Sequence, residues 1–425
     1  MSSGCLKNSL ESLHLENSLT GVISEFSFFP NISNLKELHL ANNPLIKGKL
    51  PDLSSRFGTS NPGIDISSNH FEGPIPPLPS NSSFLNLSKN RFSRSISLCS
   101  ISSSKLTYID LSSNLLSRKL PDCWWMFDSL VILDLGNNSF SEYQTRWASY
   151  KISKHSLHSN SLTGELSSSF GNCSQLRLLN LGKNALYGEI PTWMGESLSN
   201  LIVLSLKSNK FHGKTPFQLC QFAFLQVLDL SLNNISGKIP KCFNNFTAMT
   251  QERSSDPTIK DKVMPTWKGS GREYRSTLGL IKNLELSSNK LNGAVPEEIM
   301  DLVGLVALNL SRNHLTGQNS PKIGQLKSLD FLDLSRNQLV GGIPSSLSPL
   351  SVLSVMDLSY NNLSGKIPTG TQLQSFNGSV YAGNPELCGL PLPNKCRDEE
   401  SAPGPGMTEG RDDADTSEDD MKISL

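Results

Sequence analysis

The stretch Leu329–Leu350, LDFLDLSRNQLVGGIPSSLSPL, holds the pattern on which the rest of the chain is built. Leu332 and Leu334 stand two apart, the spacing of side chains that leave a β-strand on the same side. Asn337 follows where the strand must turn. Its amide offers two donors and an acceptor, enough to satisfy backbone groups of adjacent turns that water does not reach. Leu339 and Ile343 are further interior candidates, Gly341 or Gly342 admits a backbone angle that other residues resist, and Pro344 limits helix growth. One such unit cannot bury its own leucines, whereas stacked units can.

Outward from this unit the same asparagine recurs at Asn43, Asn69, Asn90, Asn114, Asn138, Asn160, Asn184, Asn209 and Asn233, then, after an interval of 56 residues, at Asn289, Asn313, Asn337 and Asn361. Asn17 opens the series one residue short, making fourteen copies, most of them 24 residues apart and the ragged ones 21 to 26. A period of this length outranks any domain count made from chain length. It predicts an α/β repeat solenoid: a curved superhelix with a parallel β-sheet on its concave face and short helical, 3-10 and turn segments on its convex face. Fourteen strands at roughly 4.8 Å spacing give an inner face on the order of 65 Å long.

In a strand written Leu-x-x-Leu-x-Leu-x-x-Asn, the x positions face the open concave side. They read as a polar surface with isolated aromatics. The candidates for ligand contact are Tyr108, Lys207, Asp229, Glu285, Arg336 and Tyr360. Asp110, Asp134, Asp229, Asp333 and Asp357 share one phase between two leucines, which makes them solvent-facing rungs rather than an acid/base pair. Some repeats are eroded: His155–Asn160 lacks its strand leucines, Arg56–Pro62 interrupts the second repeat, and Asn319 stands where an isoleucine is usual.

Composition narrows the function. The 38 basic and 38 acidic residues cancel, yet the stretch from Arg397 onward holds ten acids against three bases, leaving residues 1–396 at +7. No Lys/Arg cluster interleaves with aromatics, so nucleic acid is not an expected partner. There is no run of 18 apolar residues to span a membrane and no charged-then-apolar leader at the start. Phosphate loops, GxSxG and kinase signatures are missing, so no enzyme is expected and no cofactor. His155 and His158 have no acidic or cysteine partner at ligand spacing, and no metal is expected.

The second half of the repeat reads LYGEIP (Leu186–Pro191), ISGKIP (Ile235–Pro240), LVGGIP (Leu339–Pro344) and LSGKIP (Leu363–Pro368). This Leu-x-Gly-x-Ile-Pro form resembles the plant-type leucine-rich repeat. With the long interruption, the four-repeat block opening LELSSNKLNGAVPEEI and the end block GNPELCGLPLPNKC (Gly383–Cys396), the chain is similar to ectodomains of plant receptor-like proteins. These are kinase-less immune receptors of the cell surface, and the group with receptors for fungal xylanase looks closest. The resemblance implies the following organisation: repeats over 1–242, about ten with the first incomplete; an island insertion over 243–279; four repeats over 280–372; a C-terminal cap over 373–396; and an acidic, disordered tail over 397–425. Family members carry a signal peptide, an N-terminal cap and a membrane helix, so the chain reads as truncated.

The same resemblance implies function. A microbial or endogenous peptide, protein or glycan is the expected ligand, with the island residues Trp267, Lys268, Arg272, Glu273 and Tyr274 as contacts, an aromatic-and-charge mix suited to binding hot spots. An adaptor or co-receptor receptor kinase is the expected partner, met by the last repeats. The location implied is the extracellular side of the plasma membrane. A secreted polygalacturonase-inhibitor-like protein and a non-functional truncated product are the alternatives.

Cysteines and sequons agree with an extracellular history. The cap resemblance implies a Cys388–Cys396 pair. Cys99 and Cys123 lie 24 apart and Cys220 and Cys242 lie 22 apart at matching phases, which either sets each pair on neighbouring coils within disulfide reach or leaves free buried thiols. Cys5 and Cys173 have no evident partner. Candidate glycosylation sites are Asn31, Asn81, Asn137, Asn172, Asn234, Asn245, Asn362 and Asn377. Asn86 and Asn309 also sit in sequons but fall on strands, where a sugar would crowd the inner face.

Overall fold

The computed structural model describes residues 11–15, 20–22, 35–55, 57, 61–99, 101, 105–142, 147, 151–251, 266–267, 270–271 and 281–396. Two long parallel sheets run through them, one of 14 strands and one of 15. Each repeat gives one short strand to each sheet. In the unit Leu329–Leu350 these are Phe331–Asp333 and Gln338–Gly341, followed by the 3-10 helix Ser345–Leu347 on the convex side. Concave sheet, turn, side sheet and convex turn of helix therefore form one coil, and coils stack along the axis.

The leucines do what their spacing demands. Leu332, Leu334, Leu339, Ile343, Leu347 and Leu350 are all buried, and they belong to one hydrophobic cluster that runs from Leu35 to Leu387. Among the described residues, the one before each motif asparagine takes a left-handed backbone, as at Arg312 (φ 55°) and Arg336 (φ 54°). This costs strain for a side chain other than glycine, and the asparagine offsets it. Asn337 donates to the carbonyls of Leu310, Leu334 and Ser335 at 3.0, 3.1 and 3.2 Å and accepts from the Leu315 N–H at 3.0 Å. One buried amide thus satisfies four backbone groups on two coils. Glycine is needed where coils nearly touch: a Cβ on Gly324 would lie 2.4 Å from the Ser346 carbonyl oxygen.

The eroded repeat closes by a different route. His155 pairs in register with Leu133 and Leu179 and so fills a leucine slot. Its ring meets Trp147 edge-on at 4.3 Å and Phe170 at 5.2 Å, while Trp147 stacks on Trp124 at 5.7 Å. Aromatic volume replaces one leucine there, whereas the other strand slot, expected to lack its leucine too, is filled by the buried Leu157. Asn319 is buried in its isoleucine position. Disulfides join Cys99 to Cys123, Cys220 to Cys242 and Cys388 to Cys396. Cys173 is a buried free thiol, pushed up to about 12 by burial, and Cys5 lies outside the described residues.

The solenoid runs through the 56-residue interval without a break. Val227–Asp229 pairs directly with Asn283–Glu285, residue for residue, as adjacent repeats do elsewhere. The coils on either side of the interval therefore remain in contact.

The concave face as candidate binding surface

Because parallel strands here stack in strict register, each strand position becomes a row along the concave face. The middle position carries the core leucines. The position after it forms one row, in order His14, His39, Asp65, Asn86, Asp110, Asp134, Ser156, Asn180, Ser205, Asp229, Glu285, Asn309, Asp333 and Asp357. Seven of these are acids and none is Lys or Arg, although residues 1–396 carry a net +7. The recurring Asp and Asn have a local cause. Their short side chains accept the backbone N–H two residues on, as Asp110 does from Ser112 at 2.9 Å and Asp333 from Ser335 at 3.0 Å. A carboxamide serves as well, as at Asn309 with Ser311 at 3.1 Å.

The position before the core leucine forms a second row. From Phe84 onward it reads Tyr108, Ile132, Lys154, Leu178, Val203, Val227, Asn283, Ala307, Phe331 and Val355. Eight of those ten are apolar or aromatic, and Leu178, Val203, Val227, Ala307 and Phe331 are buried, so this row adds packing beneath the concave face. Phe84 and Tyr108 stack with ring centroids 4.4 Å apart. Leu178, Val203 and Val227 form, with Ile202 and Ile281, an apolar cluster separate from the main core. The signal was in the sequence: the second x of LTYID, LVILD, LIVLS, LQVLD and LDFLD is apolar each time. It was obscured because it stands beside a strand leucine.

Electrostatics divides the face into zones. Near its first half, Lys154 Nζ lies 3.6 Å from Asp134 and the Tyr108 hydroxyl donates to Asp110 at 3.4 Å. Burial, then the Asp134 charge, raises the Asp110 carboxyl, and burial, then Asp110 and Asp134, raises the Tyr108 phenol. In the middle, Lys207 Nζ is 3.9 Å from Asp229. Burial still outweighs that cation and holds Asp229 above the usual carboxylate range. Burial and the Asp229 charge hold Glu285 well above it. Asp229 and Glu285 are only 1% and 2% exposed, so these two rungs are not solvent-facing as the sequence implied. At the far end Arg336 lies over the Tyr360 ring at 4.3 Å, and Tyr360 is 52% exposed.

The six concave candidates thus fall into three places. Lys207, Asp229 and Glu285 come together, Arg336 and Tyr360 come together on the rim, and Tyr108 stands apart against Phe84. A cavity of about 500 Å³ opens at the strand-entry edge, lined by Arg177, Ile202, Phe224, Gln226, Thr247 and Gln251. Of the island candidates, Lys268, Arg272, Glu273 and Tyr274 lie outside the described residues. Only the backbone of Trp267 is described, in a two-residue antiparallel pairing, Thr266–Trp267 with Ser270–Gly271. Asn137, Asn172, Asn234, Asn245, Asn362 and Asn377 are exposed, Asn81 is half-buried and Asn31 is outside the described residues.

A coiled parallel stack with a repeating asparagine defines the class: this is a leucine-rich-repeat protein. Residues 34–57, 105–127, 224–246, 328–350 and 352–372 match the Leucine Rich Repeat family profile. The chain is homologous to the plant receptor-like proteins. It is 45% identical over 394 residues to receptor-like protein EIX2 of Solanum lycopersicum, a match covering 86% of this chain and 37% of that protein. With receptor-like protein EIX1 of the same species it shares 50% over 241 residues, covering 53% of this chain and 23% of that one. It therefore spans well under half the length of these relatives. Among solved structures, the ectodomain of the Arabidopsis receptor kinase HAESA, in complex with an N-terminally extended IDA peptide hormone, superposes with a TM-score of 0.68. That match has 28% identity and covers 91% of this chain and 57% of that one. Among the described residues no helix is long and apolar enough to cross a membrane.

Proposed function

We propose that this chain is the ligand-recognition region of a plant cell-surface receptor-like protein acting in defence signalling. It binds rather than catalyses, on the extracellular side of the plasma membrane. The observation that carries this reading is the concave sheet itself, one rigid platform in strict register whose partly or fully exposed side chains include Tyr108, Lys207 and Tyr360. Such a platform loses little ordering entropy on binding and has room for a patch of about 800 Å² per partner. The similarity to receptor-like protein EIX2 supports a receptor, and the defence role rests on the resemblance of the motifs to kinase-less immune receptors. HAESA has also been solved with the peptide hormone IDA and the co-receptor SERK1, which supports a peptide or protein ligand and a co-receptor kinase.

In this reading the ligand contacts Tyr108 and Lys207 on the concave face and the island residues Trp267, Lys268, Arg272, Glu273 and Tyr274, while Asp229 and Glu285 lie buried beneath that face. Arg336 and Tyr360 lie where the last repeats meet the co-receptor. The test is a chimera in which the chain replaces the matching region of tomato EIX2 in plant cells. A ligand-triggered response that is lost on Tyr108→Ala with Lys207→Ala, or on removal of Glu252–Arg275, with surface expression unchanged, supports the reading. A response indifferent to both changes sinks it.

A further inference from the structure

The first two described rungs of the acidic row are both imidazoles. His14 and His39 are register partners on adjacent strands, and their rings stack with centroids 4.3 Å apart and planes 8° from parallel. Glu37 stands one position before the core leucine on the same strand as His39, and its Oε2 lies 3.4 Å from His14 Nε2. Ser12, its own register partner, donates to that carboxylate oxygen at 3.3 Å and steadies it. The ligand atoms of His14, Glu37 and His39 all lie within 4.8 Å of one another.

We propose that His14, Glu37 and His39 form a binding site for a divalent transition cation of the zinc class. Two imidazole nitrogens and a carboxylate oxygen suit zinc and its neighbours, whereas calcium and magnesium call for oxygen alone. Zinc–ligand bonds near 2.0–2.2 Å set tetrahedral donors about 3.4 Å apart, the separation that His14 and Glu37 already show. Parallel imidazoles aim their lone pairs side by side, so capture of an ion requires one ring to turn about its Cβ–Cγ bond. His14 is exposed and free to do so, while the strand pairing keeps both Cα atoms in place. Three protein donors leave a fourth position open toward the concave space. His14 and His39 stand 25 residues apart in the chain, which is why no ligand spacing marks them in the sequence; the stacking of coils alone brings them together.

Calorimetric titration of the full, chelator-treated chain with Zn²⁺ at neutral pH tests this, with Co²⁺ as the spectroscopic probe. One saturable site is expected, weakened at least about tenfold in both His14→Ala and His39→Ala and unchanged in His212→Ala. Affinity falls on acidification as protons compete for the imidazoles, and the visible Co²⁺ bands vanish in the double variant. Circular dichroism shows whether the variants keep the solenoid, as surface changes should. No saturable binding, or equal binding by a folded His14→Ala/His39→Ala chain, overturns the proposal.

Discussion

Asn289 donates its side-chain amide to the carbonyl of Leu230, 59 residues earlier, at 2.9 Å. Asn337 makes the equivalent bond to Leu310, 27 residues earlier, at 3.0 Å. The coil after the long interval is therefore fastened to the coil before it as tightly as two uninterrupted repeats are. The stack is continuous across the interval.

Removing one of these amides leaves several buried backbone groups without partners. Asn337→Ala is expected to destabilise the chain by about 2–4 kcal/mol, the sum of more than one unsatisfied group. Chemical denaturation followed by circular dichroism measures it. A change within error would mean that water enters the turn and substitutes for the amide.

His155 fixes a pH dependence. Burial alone pushes its imidazole from 6.5 down to about 3. Below pH 6.5 the unfolded chain takes up a proton that the folded chain refuses. Its neutral form therefore favours folding fully above 6.5, and stability falls as pH drops from 6.5 toward 3, by about 1.4 kcal/mol per unit in the steep part. His155→Leu should flatten that slope and raise stability at neutral pH by about 1–2 kcal/mol, since both ring nitrogens are buried without hydrogen bonds. Denaturation midpoints at pH 7 and pH 5 separate the two effects.

Glu285 has the opposite sign. Its folded carboxyl is held well above the usual range by burial and by Asp229, so the folded chain favours the proton. The associated stability is present below the ordinary glutamate range and is lost as pH rises through the folded value. Glu285→Gln should stabilise the chain at pH 7 and leave it nearly unchanged at pH 4. A destabilised glutamine variant at pH 7 would show that the carboxylate is needed in charged form.

Two glycines on neighbouring coils give a paired test. Gly324→Ala pushes a methyl to within 2.4 Å of the Ser346 carbonyl and should cost about 1–3 kcal/mol as the coils separate. Gly342→Ala meets nothing nearer than 3.8 Å and should be neutral within about 0.5 kcal/mol. Thermal melts of the two variants decide whether close coil contact, rather than glycine itself, is the requirement.

The repeat was legible from Leu332, Leu334 and Asn337 because each coil obeys the same local rules, so one unit predicts its neighbours. What depends on register was harder to see. Phe84 and Tyr108 stack, and His14 meets His39, only because parallel strands align positions 24 or 25 residues apart. The burial of Asp229 and Glu285 was equally hidden, since an x position between leucines points away from the core whether or not solvent reaches it. His155 misled for a physical reason: volume and aromatic contacts, not hydrophobicity, let an imidazole occupy a leucine slot.

The direct bond between Asn289 and Leu230 has a consequence for chain length. The coils on both sides hold each other directly, so their contact does not hinge on the length of chain that joins Gln251 to Ile281, and each doubling of a connection adds only about 0.6 kcal/mol of closure entropy. Changes in the length of that connection are therefore expected to cost the stack little. The scaffold works as a socket whose walls are set by the bonds between coils.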